Sequence, residues 1–120
     1  METNSATDAG CLFCEIGNGK IQADFVDRTK DCFVIKDINP AAPIHFLVVP
    51  FEHLTYIDEF IRGNREIVSN MFGAATESAK IAGILDSGYR LVINQKGHAG
   101  QQIEHLHLHV LGGAQLDAMA

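Results

Sequence analysis

The sequence predicts an α+β domain: an antiparallel sheet of about five strands, one long helix packed on it, and a short N-terminal helix. Three observations lead there. Five short runs, at residues 24–26, 32–36, 44–50, 89–94 and 104–113, carry the β-branched, aromatic or alternating patterns of strands, with Gly, Pro, Asn and Asp between them. One stretch, residues 65–84, instead repeats its apolar side chains at helical spacing. A chain of 120 residues is one domain's worth and buries a core without covalent staples.

Composition excludes several function classes. Hydrophobic residues make up 47% and charged ones 20%, ordinary for a globular domain. A net charge of −6 with no basic cluster argues against nucleic-acid binding, which needs grouped Lys and Arg. No apolar run approaches the roughly 18 residues of a membrane helix, so no membrane partner is expected. Residues 1–10 are polar, lack the apolar core of a secretion signal and read as a frayed tail, so a cytoplasmic location is expected. Three cysteines without a secretion signal point to metal ligation or simple burial.

In chain order, Cys11-Leu12-Phe13-Cys14 comes first. Such a pair is half of a zinc site or a redox couple, and the βαβ context of the redox reading is missing. Leu12, Phe13 and Ile16 fall within about one helical turn and form an apolar patch. Residues 24–26 and 32–36 form a hairpin, with Cys32 a small buried hydrophobe. Two prolines hold the 37–43 loop, where Asp37 can cap the turn. The 44–50 strand is apolar except for His45, a core histidine or a functional one. Thr55 to Asp58 resembles a capping box that opens a short helical turn. Asn64 is the N-cap expected for the long helix, whose buried face is Ile67, Val68, Met71, Phe72, Ala75 and Ala79. After the Asp86-Ser87-Gly88 turn and the 89–94 strand comes the Gly-containing loop 96–102. Its backbone amides can approach an anion, and a plain flexible hairpin explains it equally well.

The last strand organises the chemistry. His105, His107 and His109 alternate with Leu106, Leu108 and Val110, so a strand's period of two places imidazoles on one face and core on the other. Six His in 120 residues make a chance His-x-His-x-His a roughly 1% event. On a straight strand the outer two stand about 13 Å apart, too far to share one metal ion with the middle one, so the row must divide its labour. A histidine titrates near neutral pH and can serve as nucleophile or acid/base. The central one, flanked by imidazoles, is best placed to attack.

The run from His105 to Leu111 resembles the signature of the histidine triad (HIT) superfamily of nucleotidyl hydrolases and transferases. Residues 37–50, 88–94 and 109–113 look like its histidine-triad nucleotide-binding (Hint) branch, with residues 11–113 as the HIT domain and 114–120 as a short tail. The resemblance implies a homodimer that hydrolyses purine nucleoside 5′-monophosphoramidates, adenosine preferred, through a nucleotidyl-histidine intermediate. The nucleotide partner is then AMP, GMP or an adenosine phosphoramidate. By that resemblance His107 is the nucleophile and His45 supports the triad, while His109, Asn94, Gln101 and the backbone near Gln102 contact the phosphate, with Gln102 at the position that serves the leaving group. Asp37 binds the ribose hydroxyls, and Leu12, Phe13, Ile16, Ile21 and Ile38 line a purine slot. Gln102 stands where many Hint proteins carry Ser or Thr, and the 114–120 tail lacks the branch's aromatic residue. Cys11, Cys14, His53 and His105 look like the zinc ligands of microbial HIT proteins, a closed structural Cys₂His₂ site. Three other readings stay open: a diadenosine polyphosphate hydrolase, a zinc-stabilised nucleotide-binding module without turnover, and a multi-zinc His-rich protein.

Overall fold

The computed structural model describes residues 10–60, 63 and 65–119. The expected tail, apart from Gly10, and the expected Asn64 cap lie outside them. Five strands form one antiparallel sheet: β1 (Phe25–Arg28), β2 (Cys32–Lys36), β3 (Ile44–Pro50), β4 (Tyr89–Val92) and β5 (Leu108–Gly112). Their order is β1-β2-β3-β5-β4, so β5 lies between β3 and β4. Among the described residues two α-helices accompany the sheet, α1 (Leu12–Gly17) and α2 (Arg65–Ile81), as the α+β expectation requires.

The sheet is covered on both faces, and strand alternation sorts the side chains. On one face Cys32, Val34, Phe46, Val48, Leu108 and Val110 pack with Met71, Ala74 and Ala75 of α2. Phe33, Ile35, Leu47 and Val49 turn to the other face and meet Phe13, Cys14 and Ile16 of α1. Burial drives the Cys32 thiol up to about 11, so it packs as an inert hydrophobe. Among the described residues no helix is long and apolar enough to cross a membrane.

Several elements differ locally from expectation. Helix α2 stops at Ile81 rather than residue 84, because Gly83 adopts φ +76°. The Gly83 and Ile84 amides then close on Lys80 and Ala79 carbonyls, a Schellman ending. Phe72, expected inside, is 42% exposed, and Ala74 and Ser78 take the buried face. The turn at residues 55–60 is capped by Glu59, whose carboxylate accepts from the Thr55 and Tyr56 amides, while Asp58 pairs with Lys96. Strand β1 begins at Phe25 and carries a bulge between Phe25 and Asp27. Strand β4 ends at Val92, opposite His109, rather than at residue 94. The Leu106 amide donates to the Leu54 carbonyl instead of to a sheet partner, so His105 and His107 precede the ladder.

Candidate active site and metal cluster

Cross-strand register builds the floor of the site. Ile35 pairs with Leu47, Leu47 with His109 and His109 with Val92, giving one row across four strands on the α1 face. His45, two residues before Leu47, points the same way and reaches His109 diagonally. The α1 helix then delivers Phe13 onto the triad, with ring centroids 5.7 Å from His105 and 5.2 Å from His107.

Above this floor lies a cleft of about 570 Å³. It gathers Leu12, Phe13, Ile16, Ile21, Asp37, Ile38, Asn94, Gln102, His107 and His109, nearly all the residues singled out from sequence. Leu12, Ile21 and Ile38 remain 44%, 37% and 91% exposed, an apolar rim suited to cover a flat base. Asp37 Oδ1 accepts from the Asn39 amide at 2.8 Å, and Oδ2 lies 3.4 Å from His45 Nε2. Asp37 is thus both the turn cap and a cleft carboxylate. Two expected residues do not line the cleft. His45 lies behind His109, and Gln101 spends its amide on the backbone at Lys96, Thr55 and Ile103. Sequence reasoning missed Gln22, Ala23, Asp24, Ile35, Lys36, Asn39, Leu47 and Ile103. Leu47 was discoverable from its two-residue spacing to His45, whereas Ala23 and Asp24 arrive on a loop with no signal.

Backbone groups set the proton on each histidine, since an amide only donates and a carbonyl only accepts. The Ala41 amide donates to His45 Nδ1 at 3.0 Å, so neutral His45 carries its proton on Nε2. That Nε2–H donates to His109 Nδ1 at 2.8 Å, which leaves the proton of His109 on Nε2. His107 Nδ1–H donates to the His105 carbonyl at 2.8 Å, so its Nε2 holds the lone pair. Burial, with His107 and His45 nearby, lowers His109 to about 4; burial also lowers His45, against the pull of Asp37. The cleft therefore presents one imidazole N–H donor, on His109, beside one imidazole lone pair, on His107, their rings 5.1 Å apart.

The second cluster is Cys11, Cys14, His53 and His105. Cys11 Sγ lies 3.2 Å and Cys14 Sγ 3.6 Å from His105 Nδ1, with Cys14 Sγ 3.1 Å from His53 Nδ1. All four ligand atoms fall within 4.8 Å of one another. Tetrahedral zinc with two sulfurs and two nitrogens spaces its ligand atoms about 3.3–3.8 Å apart, so this donor set fits. His105 Nε2–H donates to the Pro50 carbonyl at 2.9 Å, which turns the Nδ1 lone pair toward the sulfurs. Burial, with His53 and His107 adding to it, lowers His105 to about 4, so the ring stays neutral as a ligand must. Asp37, His45 and His109 also converge, but the Ala41 amide occupies the one lone pair of His45, so that trio is a hydrogen-bond relay and not a cation site.

Residues 18–116 match the HIT domain family. An uncharacterized HIT-like protein of Buchnera aphidicola (subsp. Baizongia pistaciae) is 41% identical over 88% of this chain and 95% of its own length. The purine nucleoside phosphoramidase of Escherichia coli K12 is 32% identical over 90% of this chain and 91% of its own. A HIT family hydrolase from Legionella pneumophila superposes with a TM-score of 0.85 at 38% identity, covering 89% of this chain and 96% of that one.

Proposed function

Because the chain belongs to the HIT-domain family, we propose that it is a purine nucleoside phosphoramidase of the Hint type, acting through His107 on adenosine 5′-monophosphoramidates before other purine substrates. The coarser statement, a HIT-family hydrolase, already follows from its relatives. One observation carries the finer reading: His107 is pinned through Nδ1 to the His105 carbonyl and offers an Nε2 lone pair in a cleft rimmed by apolar side chains. The E. coli relative's phosphoramidase name supports the same substrate class.

In this reading Leu12, Phe13, Ile16, Ile21 and Ile38 cover the base and Asp37 accepts from the ribose hydroxyls. His107 Nε2 attacks the α-phosphorus; the P–N bond to the leaving amine breaks, the amine takes up a proton, and a phosphorus–nitrogen bond to His107 forms. Positive charge on the imidazole is stabilised through Nδ1–H by the His105 carbonyl. His109 Nε2–H donates to a non-bridging oxygen, where charge gathers in the transition state. Asn94 and Gln102 flank that phosphate, with Gln102 beside the departing amine. Water then cleaves the P–N bond to His107, releases AMP and restores the lone pair. Cys11, Cys14, His53 and His105 hold a structural Zn²⁺, which fastens α1 to the triad and supplies no reacting group.

The same proposal takes residues 11–113 as the catalytic domain, a cytoplasmic location and a homodimer. Three cysteines outside any disulfide suit a reducing compartment, and β4 lies at an edge of the sheet where a second copy can pair. Sedimentation velocity tests the dimer. Product chromatography tests the activity: adenosine 5′-phosphoramidate gives AMP, His107→Ala stops it, and AMP affinity persists in that variant. ATP plus AMP from diadenosine tetraphosphate would transfer the protein to the polyphosphate hydrolases. No turnover of either compound would leave a binding module.

A further inference from the structure

Within the connection from β4 to β5, residues 93–107, Asn94 and Gln102 both line the cleft and bracket a loop. Inside it Lys96 has φ 67° and ψ −169°, a backbone conformation essentially reserved for glycine. It is the one non-glycine residue at positive φ among those described. Such strain persists only where surrounding contacts over-determine it.

Here the contacts are explicit. The Lys96 amide donates to Gln101 Oε1 at 2.8 Å and the Gln101 amide to the Lys96 carbonyl at 3.1 Å, closing a neck between residues 96 and 101. Gln101 Nε2 then reaches the Thr55 carbonyl at 3.3 Å. Lys96 Nζ sits 2.7 Å from Asp58 Oδ2 and 4.8 Å from the Tyr56 ring centre, and the Ile57 amide donates to Gln95 Oε1 at 2.7 Å. The loop is therefore buttoned onto residues 55–58 by three successive anchors. Its strained residue sits at the neck, two positions from Asn94, where a change in backbone direction alters the spacing between Asn94 and Gln102.

We propose that Lys96 is a positioning residue: the anchors from Asp58, Tyr56 and Gln101 hold its glycine-like backbone, and the closed neck fixes Asn94 and Gln102 around the reacting phosphate. The inference rests on the reading that this cleft transfers a nucleotidyl group to His107. Lys96 touches no part of the cleft itself. The base and ribose are held by other elements, α1 and the 37–39 turn, so loosening the neck falls on the chemical step and not on nucleotide binding.

The test measures kcat and KM for adenosine 5′-phosphoramidate, AMP affinity and thermal midpoint in the full chain and in Lys96→Ala, Lys96→Gly and Asp58→Asn. Lys96→Ala keeps the strain and loses both side-chain anchors, so kcat falls about tenfold or more while KM and AMP affinity stay within about twofold. Lys96→Gly removes the strain and recovers most of that loss, although glycine is the larger truncation. Asp58→Asn lowers kcat in the same direction by a smaller factor, and carries the test if Lys96→Ala does not fold. Wild-type kcat in both Lys96→Ala and Asp58→Asn overturns the inference, as does an equal fall in Lys96→Ala and Lys96→Gly. An inactive wild-type chain instead overturns the phosphoramidase reading and this inference with it.

Discussion

Acidification tests the proton relay behind the nucleophile. His109 is held neutral in the folded protein at about 4, below its ordinary 6.5, chiefly by burial. Between those values the unfolded chain binds a proton that the native state refuses, so falling pH favours unfolding. The stability His109 contributes is complete above about pH 6.5 and drains as pH falls toward 4, about 1.4 kcal/mol per pH unit and about 3 kcal/mol in all. Against a total of about 5–15 kcal/mol for a domain this is a measurable share. The assay is urea unfolding at saturating zinc across pH 7 to 4.5, comparing the wild type with His109→Gln, whose amide still accepts from His45. The neighbours that lower His105 are the same in both proteins, so the difference reports His109 together with its hydrogen-bond partner His45. The variant starts less stable, and its disadvantage narrows by about 2–3 kcal/mol as the pH falls. Parallel curves would mean that His109 takes up protons alike in the folded and unfolded states, which would refute its burial as a neutral donor and the relay built on it.

Chelation, or Cys14→Ser, tests the zinc proposed for the Cys11, Cys14, His53 and His105 cluster and the anchoring of α1 that it would provide. A lowered thermal midpoint restored by added zinc, with one zinc per chain by elemental analysis, is the expected result. Leu106→Ala removes a fully buried side chain beside α2 and costs about 2–5 kcal/mol by chemical denaturation. Gly113 has φ +91°, and an added Cβ would meet Ile44 and Pro43 at 3.1 Å. Gly113→Ala therefore destabilises by about 1–3 kcal/mol, visible as a lower urea midpoint. Asp37→Asn keeps the turn acceptor but loses the charge facing the ribose, and weakens AMP binding in calorimetry by about 1 kcal/mol.

What was legible in the sequence was local periodicity and its chemistry. The alternation from His105 to Val110 announced which side chains face the core, and Leu106, Leu108 and Val110 are indeed buried with α2. It did not announce that the strand starts at Leu108, because that depends on the Leu106 amide finding Leu54, 52 residues earlier by number, rather than a sheet partner. The straight row of three was therefore too simple: His105 turns to Cys11 and Cys14, while His109 turns to His45. The same limit explains the misread caps. Asp58 and Glu59 are interchangeable in a local motif, and only the distant Lys96 decides which carboxylate is left to cap. Phe72 fitted the helical stripe, yet one helix has room for a limited number of side chains against the sheet, and alanines and Ser78 pack closer. Gln101 and Gln102 are adjacent and chemically identical, and nothing local reveals that one braces a loop while its neighbour faces the cleft.

The position of β5 between β3 and β4 has a consequence for how the molecule is made. A chain emerging from the ribosome exposes the facing edges of β3 and β4 before the strand that joins them exists. The strand inside the sheet, His107 and the fourth member of the Cys11–Cys14–His53–His105 cluster all come after β4 in the chain, within a few residues of one another. Cys11 must wait for a partner 94 residues away. Pairings of such long reach are slow to form, because chain entropy is lost before contacts return it. Zinc captured by Cys11, Cys14 and His53 on a nascent chain would hold three of four ligands ready and shorten the final search to one imidazole. The cleft is thereby left without His107 and His109 until the strand that finishes the sheet is in place.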